Sequence, residues 1–438
     1  MGTRRLVVIS ALLAALVAAP AGAQLPEPPE VPLPPIDVPI DIPDLPLPGE
    51  TLPPGFVVST YAQLPGLGTS LSFGPDTTEG SDATRLYVLD NSGGRLLAID
   101  DQNGVGGEPI TFAEGFNNPL GVLAAPNGVV YVADNHGPRN GPFGSRPYGR
   151  VWRLRDTDGD GVADKKQLFL KDLPNGRHNT NGMAIGPDGK LYIANGNSTD
   201  DGVEGGEPEV TPWSGSIIRV KRGLKRKSLA DLPRRSTLVA RGMRNIYDVA
   251  FSPIDQTLLF TPMNGLDDAR PASEEGSGEL EDSDDILYST DVNDSRVDNM
   301  GFPSCLYNVG KRGDLKPYDN PNPATIKRFG RCRPARIRRP LSSFGAHPSS
   351  NGLAFQVTDA WGEEYKNNAF VAEFGNFFGD EVVGHDVIRV ELDATGTRVV
   401  NQTEFFNAPL LLDLTFDAEG NLFVVSYDGT IYKIIKAA

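Results

Sequence analysis

Six stretches of the chain share one pattern: a short apolar strand, a turn rich in Pro, Asp, Asn or Gly, and a second strand. They are LSFGPDTTEGSDATRLYVLD, GVLAAPNGVVYVAD, GMAIGPDGKLYIAN, DVAFSPIDQTLLFTP, GLAFQVTDAWGEEYKNNAFVAE and DLTFDAEGNLFVVS, beginning at Leu71, Gly121, Gly182, Asp248, Gly352 and Asp413. Apolar and polar residues alternate within each with period two, as in half-buried β-strands. Each is followed by a further strand: GRLLAID, GRVWRLR, GSIIRVK, DDILYST, HDVIRVEL and GTIYKII. Successive starts lie 50, 61, 66, 104 and 61 residues apart, the spacing of repeated four-stranded units. The pattern predicts an all-β fold, a six-bladed β-propeller of four-stranded antiparallel blades. A pair of β-sandwiches would show the same alternation but has no reason to repeat one strand-turn-strand unit six times. The long fourth interval carries two insertions expected near a rim. One is acidic and read as a mobile loop (residues 266–285); the other, residues 311–340, holds ten Lys and Arg residues and Cys332.

The N-terminus departs from the repeat. Residues 1–23 join two arginines, an apolar run and Ala21-Gly-Ala23, the order of a secretory signal peptide. The apolar run is shorter than the roughly 20 residues that span a bilayer. Residues 24–54 are too rich in proline for a helix or a central strand and read as an extended linker. The propeller is therefore placed at residues 55–438, and the protein is expected to be secreted or periplasmic. No later stretch is long and apolar enough to span a membrane, so no integral membrane contact is expected.

Charge and cysteine content narrow the partners. A net charge of −16 argues against nucleic acid and anionic lipid surfaces. Cys305 and Cys332 are the only cysteines; in an exported chain such a pair predicts a disulfide, stabilising by roughly 3–4 kcal/mol through loop closure.

The sharpest short motif is Asp156-Thr-Asp158-Gly-Asp160-Gly161-Val162-Ala-Asp164. Carboxylates at positions 1, 3, 5 and 9, glycine at 6 and the Val162 carbonyl at 7 match the hard-oxygen ligands of a calcium loop. Gln167 stands at position 12, where a bidentate glutamate is usual, which predicts weaker, structural binding. An acidic solvated turn is the alternative.

Four segments occur in an order that carries a family resemblance: RHNTNGMAIGPDGKLYIANGN, RGMRNIYDVAFSP, MGFP and DLTFDAEGNLFVVSYDGTIYKI. Through them the chain resembles the soluble glucose/sorbosone dehydrogenases over residues 55–436. These are periplasmic or secreted six-bladed propellers that use pyrroloquinoline quinone (PQQ) and calcium. The resemblance implies His178 as catalytic base and Arg244 as its catalytic companion. It implies Arg244 and Asn245 as contacts of the quinone, and carbonyls of Met263–Leu266, Gly265 and Leu266 among them, as holders of the cofactor's calcium. Asp284-Asp285-Ile286 is similar to the family's Asp-Glu-Ile-Asn stretch, and Gly301-Phe302-Pro303 to Gly-Trp-Pro. A neutral imidazole is a natural base for a sugar hydroxyl, and an arginine can stabilise developing negative charge. The implied partners are a sugar or aldehyde and an external electron acceptor.

Other readings stay open. His178 would serve equally as a structural hydrogen-bonder, and Arg244 as the partner of an acid between blades. His347 also precedes the opening strand of a blade; His136 and His385 have no comparable setting. Asp380 and Glu381 stand where the family has cations, a place the basic residues Arg331–Arg339 would fill if they fold over the channel. A non-enzymatic, calcium-stabilised secreted propeller binding glycans or proteins is the competing function. A calcium-dependent lactonase would need side-chain ligands converging from several blades, and none are evident.

Overall fold

The computed structural model describes residues 48–136, 148–203, 210–211, 213–266, 283–309, 314–376 and 382–437. The signal peptide, residues 24–47 of the linker, most of the acidic insertion, and Asp380 with Glu381 lie outside them.

Among the described residues six sheets, each antiparallel over its four main strands, form the blades, and the inner strand of each comes from one of the six repeats. Blade 1 runs Gly68–Pro75, Thr84–Asp90, Arg95–Asp100 and Ile110–Glu114. Blade 2 runs Gly121–Ala124, Val130–His136, Tyr148–Arg155 and Lys165–Pro174. Blade 3 runs Thr180–Ile185, Lys190–Asn195, Ser216–Lys221 and Leu238–Arg241. Blade 4 has Ala250–Phe251, Leu258–Met263, Asp284–Asp291 and Ser342–Ala346, and blade 5 has Ser350–Phe355, Ala369–Glu373, Asp386–Leu392 and Val399–Asn407. Blade 6 takes three strands from the C-terminal region, Leu411–Phe416, Leu422–Ser426 and Thr430–Lys436. Its outer strand, Phe56–Gln63, comes from the beginning of the domain. That exchange closes the ring, because the first and last strands share one hydrogen-bond ladder and no blade is left with an open seam.

Period-two alternation sends one set of side chains to each face of a blade, so every blade offers an apolar face to both neighbours. Six buried clusters occupy the six interfaces. Tyr131, Phe169, Met183 and Ile193 join blades 2 and 3; Tyr192, Ile217, Met263 and Tyr288 join blades 3 and 4. Phe370, Phe405 and Trp361 pack with Leu414 and Val424 between blades 5 and 6. Fully burying one such side chain stabilises by about 1.5–3 kcal/mol.

The inner strands are tied by polar groups as well. The Asp413 carboxylate of blade 6 accepts the Leu71 N–H of blade 1 at 3.2 Å, and Asp248 of blade 4 accepts the Leu353 N–H of blade 5 at 3.2 Å. A Cβ on Gly182 would lie 2.1 Å from the Asp248 carboxylate, so only glycine lets these strands approach. Asp413 is buried, Asp248 half-buried, and the two carboxylates repel each other. Burial and then that repulsion hold Asp248 well above the usual carboxylate range, and burial pushes Asp413 up to about 7.

The folded-state value of Asp413 exceeds its ordinary 3.8, so the native state binds the proton more tightly than the unfolded chain. Stability is then greatest in acid and declines as pH rises from about 4 to 7. Asp413→Asn keeps an acceptor for Leu71 and removes the charge. It is expected to raise stability at neutral pH by on the order of 2–4 kcal/mol and to flatten the pH dependence in that window. Urea unfolding at pH 4 and pH 7 measures this; an asparagine variant less stable than wild type at pH 7 contradicts it.

Candidate active site

Strand direction sorts the loops to two ends of the ring. Segments entering inner strands, and loops joining second to third strands, meet at one end; the turns between third and fourth strands lie at the other. His178 and Arg244 belong to entry segments of blades 3 and 4. Asp200 belongs to the second-to-third loop of blade 3, and Asn264–Leu266 to that of blade 4. The calcium-type loop joins the third and fourth strands of blade 2 and lies at the opposite end.

His178 is buried, with 9 % of its surface exposed. Its Nδ1 lies 2.9 Å from the Asn197 carbonyl, and its backbone N–H donates to the same oxygen at 3.1 Å. A carbonyl can only accept, so Nδ1 carries the proton and Nε2 presents its lone pair. Among the described residues Nε2 has no hydrogen-bond partner. Burial, followed by the nearby Arg244 cation, pulls the ring down to about 3. The imidazole is therefore neutral throughout the physiological range. Gly196 makes room for it: a Cβ there would lie 2.6 Å from the His178 Cβ.

Arg244 is buried and fully engaged. Its Nε donates to the Asp200 carbonyl at 3.1 Å, one Nη donates to the Asp200 carboxylate, and the other donates to the Gly265 carbonyl. Burial opposes charge on Asp200, but Arg244, then the His178 ring and Arg177, outweigh it and hold the carboxyl below its ordinary value. Arg177 approaches the same carboxylate at 4.0 Å. The open alternative from the sequence, an acid partner for Arg244 between blades, is thus the geometry found. The Gly265 carbonyl, expected to face a cofactor's calcium, accepts from Arg244.

Asn245 and the 264–266 loop form a second layer. Asn245 Nδ2 donates to the Asn264 side chain at 2.6 Å, and the Asn264 N–H donates to the Asn245 carbonyl at 2.9 Å. Asp285 is the hub beneath them. It accepts from the Gly265 N–H at 2.7 Å, from Asn264 Nδ2 at 3.2 Å and from the Ser350 N–H at 2.6 Å. Leu266 N–H donates to the Ser283 hydroxyl. Tyr247, Phe374 and Leu412 pack below as an apolar floor, with the Tyr247 hydroxyl donating to the Thr69 carbonyl of blade 1 at 2.6 Å.

His347 is half-buried where blade 5 begins, at φ 70°. His385 is fully buried; burial lowers it to about 4, and its Nδ1 accepts from the Leu410 N–H at 3.3 Å. His136 stacks at a tilt on Tyr148, 5.2 Å away.

At the far end, carboxylate oxygens of Asp156, Asp158 and Asp164 lie within 4.8 Å of one another. Asp160 falls outside that group. Its carboxylate accepts the Val162 N–H at 2.8 Å, an Asx turn that uses the side chain locally. Gln167 is turned toward Arg153 and adds nothing to the loop. Asp156 is held by the N–H groups of Gly159 and Gly161 at 2.7 and 2.8 Å and by Thr77 of blade 1 at 2.8 Å.

Asp200, Asp285 and the Asn197 carbonyl, which bond to Arg244, the 264–266 loop and His178, are not singled out as candidates by the sequence. Asp285 was visible only as one residue of a resembling stretch. Asp200 sits in the polar run NGNSTDDG, which carries no spacing that points to an arginine 44 positions later.

Backbone carbonyls are hard oxygens suited to calcium, Arg244 and Asn245 can face an anionic ring system, and His178 offers a neutral ring nitrogen without a partner among the described residues. The set fits PQQ and calcium, with Arg244 already occupying one of the carbonyls.

Comparison with known proteins agrees with this geometry at the level of fold. Residues 79–240 match a family model described as a domain of unknown function, DUF7133. An uncharacterized protein of Borreliella burgdorferi is 25% identical over 198 residues, covering 45% of this chain and 46% of its own length. The chain thus matches about half the length of that relative. Among solved structures, a Trichoderma reesei enzyme of Carbohydrate-Active Enzymes Family AA12 is 16% identical with a TM-score of 0.67, covering 90% of this chain and 99% of its own. The holo PQQ domain of a pyranose dehydrogenase from Coprinopsis cinerea is 15% identical with a TM-score of 0.65, over 90% and 99%. The apo soluble aldose sugar dehydrogenase of Escherichia coli is 16% identical with a TM-score of 0.61, over 87% and 99%. The chain has the six-bladed propeller fold of these proteins.

Proposed function

We propose that the chain is a quinone-dependent sugar or aldehyde dehydrogenase, exported to the periplasm or secreted, with residues 1–23 as signal peptide, 24–54 as linker and 55–438 as catalytic domain. The observation that carries this reading is the His178 ring: buried, neutral, its tautomer set by the Asn197 carbonyl, and its Nε2 without a partner among the described residues. The solved structures of like fold that bind PQQ or act on sugars support it.

In this reading His178 Nε2 takes the proton of a substrate hydroxyl as the carbon bearing it is oxidised. Asn197 keeps the opposite nitrogen protonated, so the base cannot turn its proton toward the substrate. Arg244, fixed by Asp200, stands beside the base as a permanent positive charge for an oxyanion developing there. Asp285 holds the 264–266 loop at a set height. Arg244, Asn245 and the carbonyls of Gly265 and Leu266 would hold PQQ with calcium. When bound, that pair supplies the two-electron acceptor and the Lewis acid that polarises it.

The competing reading, a non-enzymatic binding propeller, draws on Arg244 itself, whose charge is already matched by Asp200. One titration separates them: purified protein with PQQ plus calcium, followed by quinone absorbance and by dye reduction with aldoses. Saturable uptake with sugar-dependent dye reduction supports the enzyme. No uptake at micromolar PQQ ends it.

The Asp156 loop is proposed as a separate, structural calcium site. Asp158→Ala is expected to lower the melting temperature by a few degrees in millimolar calcium and hardly at all in chelator, because a ligand bound only to the native state stabilises by mass action. Asp160→Ala should do less, since its carboxylate lies outside the group of three. Equal losses with and without calcium would remove the metal reading.

A further inference from the structure

Residues 314–340 carry eight lysines and arginines against two aspartates, within a chain of net charge −16. They belong to a small lobe inserted after the third strand of blade 4. A hairpin of Cys305–Val309 and Leu315–Asp319 leads to the helix Pro323–Phe329, capped by the Asn322 side chain on the Ala324 N–H. The Cys305–Cys332 disulfide pins the chain after the helix to the start of the hairpin. The Asp319 carboxylate also accepts the Cys332 N–H at 2.7 Å.

The lobe's underside is fixed to the loop that supplies Asp200. Asn320 Nδ2 and the Thr325 hydroxyl both donate to the Asp201 carbonyl, at 2.9 and 3.0 Å, and Asn322 donates to the Asp201 carboxylate. Asp201 follows Asp200, the partner of Arg244, so the lobe stands on the shoulder of the candidate site. On its outer side Lys327, Arg333, Arg336 and Arg339 are exposed and form no ion pair among the described residues. Arg331 and Arg338 are paired, with Asp319 and with Asp298.

We propose that this lobe is the docking surface for an acidic, one-electron carrier protein that drains the site; the proposal rests on the dehydrogenase reading. Oxidising one hydroxyl-bearing carbon to the carbonyl level releases two electrons and two protons. Two oxidised carriers each take one electron in turn, and the protons pass to water. A carrier of negative charge is repelled by the acidic parts of the chain and attracted to this lobe, the basic segment that stands beside the candidate site; a second basic stretch, residues 221–241, joins the third and fourth strands of blade 3 at the opposite end. That asymmetry sets its orientation as well as its rate of encounter. A glycan chain is the lesser fit. The exposed large apolar side chains among the described residues are all valine or isoleucine, and the lobe's own rings, Tyr318 and Phe329, are only partly exposed. The disulfide and the anchoring at Asp201 keep the cationic face at a constant distance from the site, as repeated electron delivery requires.

The test uses the full chain and the charge-reversed variant Lys327→Glu/Arg333→Glu/Arg336→Glu, none of which touches the site. The probes are an acidic blue-copper protein, plastocyanin, a basic cytochrome c of similar size, and polygalacturonate. Wild type is expected to bind plastocyanin without substrate present, weakening about tenfold or more from low to physiological salt. The variant should lose about tenfold in binding and in plastocyanin reduction, while turnover with a small neutral dye stays within about twofold. Equal binding by variant and wild type, preference for the basic cytochrome, or tighter binding of polygalacturonate would each overturn the proposal. Dye reduction without lobe-dependent binding sinks the docking surface alone. Lobe-dependent plastocyanin binding in a protein that reduces no dye sinks the dehydrogenase reading and leaves the basic docking surface for an acidic partner standing.

Discussion

His178→Gln is expected to leave the fold intact and to slow sugar oxidation by roughly 10²–10⁴, the usual range for loss of a general base. Glutamine can still donate to the Asn197 carbonyl, but it offers no basic nitrogen. The loss should therefore fall on kcat and leave substrate affinity nearly unchanged. The pH profile is the sharper readout. Burial and the Arg244 charge hold the ring at about 3, far under its ordinary 6.5. A histidine so depressed is already neutral at pH 5, so kcat/KM of the wild type should show no inflection near 6.5. A wild-type rate in the glutamine variant, or an acid limb centred at 6.5, would remove His178 from the role.

Arg244→Met is expected to cost about 3–5 kcal/mol of stability, because it strands the Asp200 carboxylate in a mostly buried setting. The same change releases the Gly265 carbonyl from its donor. Asp200→Asn added to Arg244→Met should recover part of the loss, since the uncompensated charge is then gone. Arg244→Lys should retain the charge yet fail to bridge Asp200 and Gly265 together, because a point ammonium has no planar fork. Urea unfolding of the four proteins measures this. An Arg244→Met variant within about 1 kcal/mol of wild type would show that the ion pair contributes little, as exposed pairs do.

The blades were legible because their signal is local. Strand, turn and strand lie within about twenty residues, and period-two alternation follows from the pleat itself. Asp413 and Gly182 already marked inner strands of the repeat as positions of one kind, although nothing in the pattern said that Asp413 would be held near pH 7 by burial. The disulfide was equally readable, since two cysteines in a chain allow only one intramolecular pair.

The site was legible only through family resemblance, and then in part. Resemblance singled out His178 and Arg244 as candidates; it did not point to Asp200, which pairs with Arg244. The Asp156 loop shows the same limit at short range. Spacing placed four aspartates in one loop, but backbone geometry decided that Asp160 would bond to Val162 and leave three oxygens converging.

By itself, then, the sequence determined the fold class, the number of blades, the cysteine pairing and the kinds of chemistry within reach, because each depends on neighbours along the chain or on composition. Tertiary structure decided which acid neutralises Arg244, which carbonyl sets the His178 tautomer, and that a basic lobe stands beside the site in an acidic protein. The His178 tautomer depends on how two segments of blade 3 meet, and the other two outcomes on which blades become adjacent when the ring closes. Residues such as Asp201 and Asn320, 119 positions apart, meet only then.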